Sequence, residues 1–189
     1  LNSDFLINVP VLKTHSQARV SLGIKNLKGF LNITSRKKFH GTDPIKDLHF
    51  QIANLPNKFP HGLTIIDGIY TLERGPTFDG KALRKNILVA STDMLAADMV
   101  GTKLLGVEPV EVPHLKHAAN FFNKPLDLSN VEIIGEKVED LAEFHEWDYI
   151  YEENDTLPLP FAKAGIKGIK YHKYDNTLCT YCSGITGIL

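Results

Sequence analysis

The stretch VLKTHSQARVSLGIKNLKGF, residues 11–30, decides how the first part of this chain folds. Its apolar residues fit two periods. From Val20 to Leu31 they recur every three or four residues, as on one face of a helix, but Val20, Leu22 and Ile24 also alternate as in a strand. We predict a helix over residues 16–31, preceded by a strand.

The same stretch concentrates cations in an otherwise apolar segment. Lys13 and His15 are two residues apart and project from one face of a strand. On a helix, Lys25 and Lys28 are neighbours, and Asn26 adds an amide. Lysine suits phosphate or carboxylate groups, and a buried lysine can act as a base. The alternative is that the lysines extend from an amphipathic helix while His15 caps a turn.

The composition is that of a folded globular protein. The chain has 189 residues, 43% of them hydrophobic, and its 21 basic and 22 acidic side chains give a net charge of −1. Such a balance provides no field that attracts nucleic acid or a membrane surface. No apolar run reaches the length of about 20 residues that a membrane helix needs, and no signal peptide is evident. We therefore expect a cytoplasmic protein. Because Leu1 leads almost directly into a strand-like run, we also expect the sequence to be a fragment of a longer protein.

The order of the remaining segments predicts the fold class. Four apolar runs read as strands: DFLINVP from Asp4, LTIIDGIY from Leu63, NILVAS from Asn86 and VEIIG from Val131. Further helices are predicted at 44–55, 93–105 and 113–122, where Thr, Asp, Pro and Gly mark their ends. This alternation predicts a layered α/β domain at 1–150 with a mainly parallel sheet flanked by helices. Residues 151–189 read as a linker and a tail.

Several further side chains are candidates for the same site. Asp67 comes where a predicted strand ends, which is where ligands of open α/β sheets bind, although an Asp-Gly turn explains it equally well. Asp98 lies on an almost wholly apolar helix and therefore needs a cation, a hydrogen-bond donor or a metal. Glu73 precedes a loop that either closes over a ligand or simply connects two elements, and His40 lies on a loop, where it either reaches the site or is an exposed histidine.

Two other patterns can bind metals. His114 and His117 are three apart with Glu111 nearby, a spacing that can bind a metal on a helix. Cys179 and Cys182, in CTYC, suit a redox pair, half of a zinc site or half of an iron-sulfur motif. These are the two cysteines of the chain, so a cluster is complete only with ligands from outside it. Two reduced thiols are the simpler reading.

The segments LINVPVLKTHSQARVSLGIKNLKGFL, LTIIDGIYTLERGP and ILVASTDMLAADMVGTKLLG together resemble a bacterial and archaeal family called domain of unknown function 362. The likeness covers about residues 1–120. It implies an association with iron-sulfur clusters, for which Cys179 and Cys182 are the remaining hint. The family is also distantly similar to the catalytic part of nickel-pincer lactate racemases, which by analogy places Lys13, His15, Lys25 and His40 near a cofactor.

Our leading hypothesis is a domain that binds a small anionic molecule. Lys13, Asn26, Asp67 and Glu73 are the predicted ligand-binding residues, and His15, Lys25, His40 and Asp98 the predicted catalytic ones. The resemblance implies redox chemistry or isomerisation of a carboxylate. The alternative is an accessory or electron-transfer module in which Cys179 and Cys182 help to hold a cluster. A third possibility is a purely structural polar network.

Overall fold

The computed structural model of the chain describes residues 3–39, 43, 45–74, 80–148, 157 and 159–168. Within these residues the strands are Leu6–Asn8 (β1), Val11–His15 (β2), Arg19–Ser21 (β3), His61–Glu73 (β4) and Lys81–Ser91 (β5). The helices are Gly23–Asn26 (α1), Ile33–Lys38 (α2), Leu48–Ala53 (α3), Met94–Leu104 (α4), Pro113–Phe122 (α5), Val138–Leu141 (α6) and Leu159–Lys163 (α7). Short 3₁₀ turns lie at Leu27–Phe30, Leu55–Lys58 and Pro109–Glu111.

The long strand β4 organises the sheet. Strands β1 and β2 follow one another along one side of it, both parallel to it, and β5 pairs antiparallel on its other side. Strand β3 completes the sheet by pairing antiparallel with β2. The layered α/β class is therefore confirmed, with parallel pairs at the centre and antiparallel pairs at both edges.

Helix α4 packs against this sheet because its residues are nearly all apolar or small. The Asp93 carboxylate accepts hydrogen bonds from the backbone N–H groups of Leu95 and Ala96 and so caps the helix as its sequence predicts. A Cβ atom on Gly101 would lie 3.0 Å from Leu22 and 3.1 Å from Ile66. Glycine therefore lets the helix approach the strands closely, and the core lies between the two layers.

The predicted helix over residues 16–31 is wrong. Residues 15–19 form a tight hairpin turn, with Arg19 at a φ of 61°, and the chain returns as β3 before α1 begins at Gly23. Because β3 pairs with β2, Val20 and Leu22 follow the two-residue spacing of a strand and not the spacing of a helix. The helical spacing of the apolar residues predicts the structure of the segment correctly only after Leu22.

Other predicted boundaries also changed. The run at 131–135 belongs to no strand, since it makes no ladder with the described strands, and α3 begins at Leu48 after the cap Asp47. Helix α5 has the predicted bounds Pro113–Phe122. In the described part of the chain, no helix combines the length and the apolar character needed to cross a bilayer. The domain boundary at residue 150 stays a prediction.

Candidate functional site

The β2–β3 hairpin and α1 bring the cations of the opening segment together. Lys13 is paired with Ser21 across the hairpin, so the two side chains are direct neighbours. One helical turn later, the Lys25 Nζ atom lies 3.5 Å from the Ser21 Oγ atom, a long and weak contact. Lys28 and His15 lie close enough to act electrostatically on this group. We call Lys13, His15, Lys25 and Lys28 the cation cluster.

His15 is fixed in one neutral form by the turn that follows it. Its Nδ1 atom accepts hydrogen bonds from the backbone N–H groups of Gln17 at 3.2 Å and Ala18 at 3.4 Å. The ring proton therefore resides on Nε2. Burial, together with the charges of Lys25 and Lys13, lowers the pKa of His15 to about 2. His15 is consequently a hydrogen-bond donor at neutral pH and not a proton shuttle.

Lys25 is the cation of the cluster whose protonation changes near neutral pH. Burial, followed by repulsion from Lys28 and Lys13, lowers its pKa to about 7. Burial and the charge of Arg36 also lower the pKa of Lys28, whose Nζ atom lies 5.5 Å from the centre of the Phe39 ring. Within the described residues, neither Lys13 nor Lys25 forms an ion pair with a carboxylate. An oxyanion that enters the cluster would relieve this repulsion.

Asp98 binds the backbone at the start of α1, the helix that carries Lys25. Its side chain is 0% exposed, and its two oxygens accept hydrogen bonds from the N–H groups of Gly23 at 2.7 Å and Ile24 at 2.9 Å. Since Leu22 at the start of α1 offers no capping side chain, this carboxylate from α4 caps the helix instead. Burial raises the pKa of Asp98 to about 7, and the two hydrogen bonds oppose that rise.

The contact between Asp98 and α1 requires glycine at position 23. A Cβ atom there would lie 2.8 Å from an Asp98 oxygen and 3.0 Å from the Met94 side chain. Of the three partners expected for Asp98, a cation, a hydrogen-bond donor or a metal, the structure shows hydrogen-bond donors, namely two backbone N–H groups. Asp98 positions the helix that carries Lys25.

Asn26 holds α1 to β1. Its side-chain amide donates to the Asn8 Oδ1 atom at 2.8 Å, and the amide of Asn8 donates to the Gly23 carbonyl oxygen at 2.8 Å. Asn8 is almost fully buried. The amide of Asn26, predicted to bind a ligand, is thus engaged within the protein.

Asp67 and Glu73 form no hydrogen bond or ion pair with the cation cluster among the described residues. Asp67 is in the middle of β4 and not at a strand end, because the strand continues to Glu73. Its sheet neighbours Val11 and Leu88 are exposed while the adjacent Ile66 is buried, so Asp67 projects from the face opposite to α4. The Asp67 Oδ1 atom accepts from the N–H of Ile69 at 2.9 Å.

Glu73 belongs to a second group of charges at the far end of β4. The Arg74 guanidinium lies 2.6 Å from a Glu146 carboxylate oxygen and 3.8 Å from one of Glu73. The Glu146 N–H donates to Glu73, and Thr14 donates its hydroxyl proton to the Glu146 carbonyl oxygen at 2.7 Å. We call Glu73, Arg74 and Glu146 the ion-pair corner.

Sequence reasoning missed three residues that border the cation cluster: Ser16, His49 and His114. The His114 ring is 0% exposed, and the His49 ring stacks on it with centroids 6.3 Å apart. His114 was singled out only for its spacing from His117. That metal pattern is not formed, because Glu111 pairs with Arg19 at 3.6 Å and His117 packs against Phe50.

The described residues do not test the prediction of a cofactor. No three His, Cys, Asp or Glu side chains are placed to hold a metal ion in the part of the chain that the structure describes. His40, Cys179 and Cys182 lie outside the described residues. Two cysteines also supply too few thiolates for an iron-sulfur cluster, which usually takes four. The association with such a cluster stays a prediction.

A groove of about 490 Å³ lies elsewhere in the fold. It runs beside β5 and α4 and is closed on its other side by residues 131–136. None of the predicted site residues lines it. Because the groove contains none of these residues, we place the candidate site at the cation cluster.

Comparison with known proteins identifies relatives without assigning a reaction. The family described as domain of unknown function (DUF362) matches residues 1–103. The thylakoid-associated protein sll1697 of Synechocystis sp. is 30% identical over 116 residues, which make up 60% of this chain and 36% of that protein. The chain thus matches little more than a third of its relative's length. No solved structure matches the chain.

Proposed function

We propose that this chain, which belongs to the family described as domain of unknown function (DUF362), binds a small molecule through its phosphate or carboxylate group. The observation that carries the proposal is the convergence of Lys13 and Lys25 on Ser21 without an ion pair among the described residues. Cations held together in a partly buried place destabilise one another unless an anion joins them.

Three members of the cluster, together with Asp98, have a part in such binding. Lys13 and Lys25 supply ammonium groups to the oxyanion. His15 adds a neutral N–H donor from its Nε2 atom because its Nδ1 atom is occupied by the backbone. Asp98 holds the first turn of α1 and thereby fixes the position from which Lys25 extends.

A chemical step, where one follows, would use Lys25. Its pKa of about 7 allows the amino group to accept or donate a proton at neutral pH, whereas His15 is held neutral. Isomerisation or redox chemistry of a carboxylate remains a part of the proposal that rests on the family resemblance, and a cytoplasmic location is a part that rests on the sequence. The thylakoid association stated for the relative belongs to that protein.

Isothermal titration calorimetry with inorganic phosphate and with acetate tests the proposal. Lys25→Met and Lys13→Met should each weaken binding at least tenfold, because each removes a charge-assisted contact of about 1.5–3 kcal/mol. Lys116→Met is the matched control, since Lys116 is an exposed lysine on α5. Binding that is absent in the wild type, or equally strong in all four proteins, would overturn the proposal.

A further inference from the structure

Buried polar atoms without partners gather beside the cation cluster. Across the described residues, the buried side-chain atoms that lack a hydrogen-bond partner are Ser16 Oγ, His49 Nδ1 and both ring nitrogens of His114. They come from three separate elements, namely the turn after β2, α3 and α5. Native proteins satisfy most such atoms, so their occurrence on one side of one site requires an explanation.

These atoms are close to the cations. The His49 and His114 rings lie parallel, with an angle of 5° between their planes. His114 interacts electrostatically with both His15 and Lys25. Ser16 directly follows His15 in the turn. The unpartnered atoms therefore border the place where the proposed anion binds.

The chemistry of a buried imidazole defines what should meet it. Burial, with the nearby charges of His49 and Lys25, holds the pKa of His114 well below its ordinary value, so the ring is neutral. A neutral imidazole has one N–H donor and one acceptor nitrogen. Leaving them unpaired costs about 1–3 kcal/mol each. A hydroxyl group, which both donates and accepts, can bond one nitrogen of such a ring and a second polar atom beside it, such as His49 Nδ1 or Ser16 Oγ.

We propose that the ligand carries a hydroxyl group next to its anionic group, and that His114, with His49 and Ser16 beside it, binds this hydroxyl. The proposed ligand class is thus a small hydroxy acid. This inference rests on the proposed function, since the lysines hold the charged end. A metal ion is a poorer occupant, because no third metal-binding side chain joins the two histidines among the described residues.

Acetate and glycolate provide the test, since they differ by one hydroxyl group. Calorimetry on the wild-type chain should show glycolate binding at least tenfold more tightly than acetate, because a site with unpaired polar groups discriminates against the ligand that lacks the hydroxyl. His114→Leu should abolish this preference, so that glycolate and acetate bind with the same affinity, because the variant cannot bond the hydroxyl. His117→Leu, one turn along α5, is the control and should keep the preference.

A second measurement avoids substitution at a buried position. The ring ¹⁵N resonances of His114 should shift on addition of glycolate and stay in place on addition of acetate. Should the two acids bind equally, or should neither bind while phosphate still binds in a Lys25-dependent way, the histidines hold only water and this inference fails while the proposed function stands. Absence of binding by all three anions would overturn both.

Discussion

Strand β2 separates two groups of charged residues that the protein treats in opposite ways. Thr14 donates to the ion-pair corner, where Arg74 meets Glu146 and Glu73. Lys13 and His15, on either side of Thr14, belong to the cation cluster, in which Lys13 and Lys25 have no acidic partner among the described residues. The corner pairs its charges within the protein, whereas a bound anion would supply the missing partner for Lys13 and Lys25.

This difference separates a structural role from a binding role. Charges that are paired and hydrogen-bonded stabilise the positions of β4 and the segment at Glu146. Unpaired cations that share a half-buried place cost stability, and proteins keep such arrangements chiefly where a ligand supplies the missing charge. The following predictions compare the two groups, beginning with the largest effect.

Removing the support of the cluster should have the largest effect on folding. Asp98→Ala leaves two buried N–H groups of α1 without an acceptor, so we expect the free energy of unfolding to fall by about 3 kcal/mol. Urea denaturation followed by circular dichroism measures this. Asp98→Asn keeps one acceptor oxygen and should lose less than the alanine variant. An alanine variant as stable as the wild type would show that Asp98 does not cap α1.

Breaking the ion-pair corner should destabilise the protein without affecting binding. Arg74→Met leaves the buried carboxylate of Glu73 without its cation, and we expect a loss of about 2 kcal/mol in the free energy of unfolding. Phosphate affinity should remain within twofold of the wild type. A large loss of phosphate affinity with unchanged stability would show that the ion-pair corner has a binding role and not the structural role assigned to it.

Anion binding should weaken as the pH rises through 7. The pKa of Lys25 is about 7, so its ammonium form predominates at pH 6 and its neutral amine at pH 8. Sulfate keeps its charge over this range, and its affinity should fall about tenfold between the two values if the ammonium form binds it. Lys25→Arg, which stays charged, should lose this dependence. An unchanged slope in that variant would place the titrating group elsewhere.

Removing the charge of Lys25 should have the smallest effect on stability. This change should raise the free energy of unfolding, whereas Arg74→Met should lower it. As pH falls from 10.5 to about 7, the unfolded chain binds a proton at Lys25 that the folded chain does not, so stability declines over that window. Lys25→Met lacks this penalty and should be more stable at pH 7 by about 1 kcal/mol or less, because solvent screens a half-buried group. A variant less stable than the wild type at pH 7 would indicate a partner for Lys25.

The sequence predicts those features that depend on local chemistry. Helix α4 follows from the Asp93 cap and its apolar run, α5 from Pro113 at its first position, and β4 and β5 from their continuous apolar residues. The helix predicted over 16–31 failed because the hairpin pairing of β3 with β2 cannot be read from the period of Val20 and Leu22 alone.

The site was predictable only in part, for a similar reason. The cations of residues 13–28 are adjacent in sequence, so their convergence was expected. The partner of Asp98 is a pair of backbone N–H groups 74 and 75 residues away, and backbone donors leave no signature in a sequence. Ser16, His49 and His114 meet only through tertiary packing, and isolated histidines carry no pattern.

The protonation of Lys25 in the folded chain tests the central claim most directly. Nuclear magnetic resonance of ¹³C-labelled lysine, assigned with Lys25→Arg, follows the Cε resonance of Lys25 through a pH titration with and without sulfate. We predict a midpoint near pH 7 without sulfate and a clear upward shift with it, because the anion stabilises the ammonium form. A midpoint near 10.5 that sulfate does not move would contradict a Lys25 ammonium group that lacks a carboxylate partner and is placed to bind an anion.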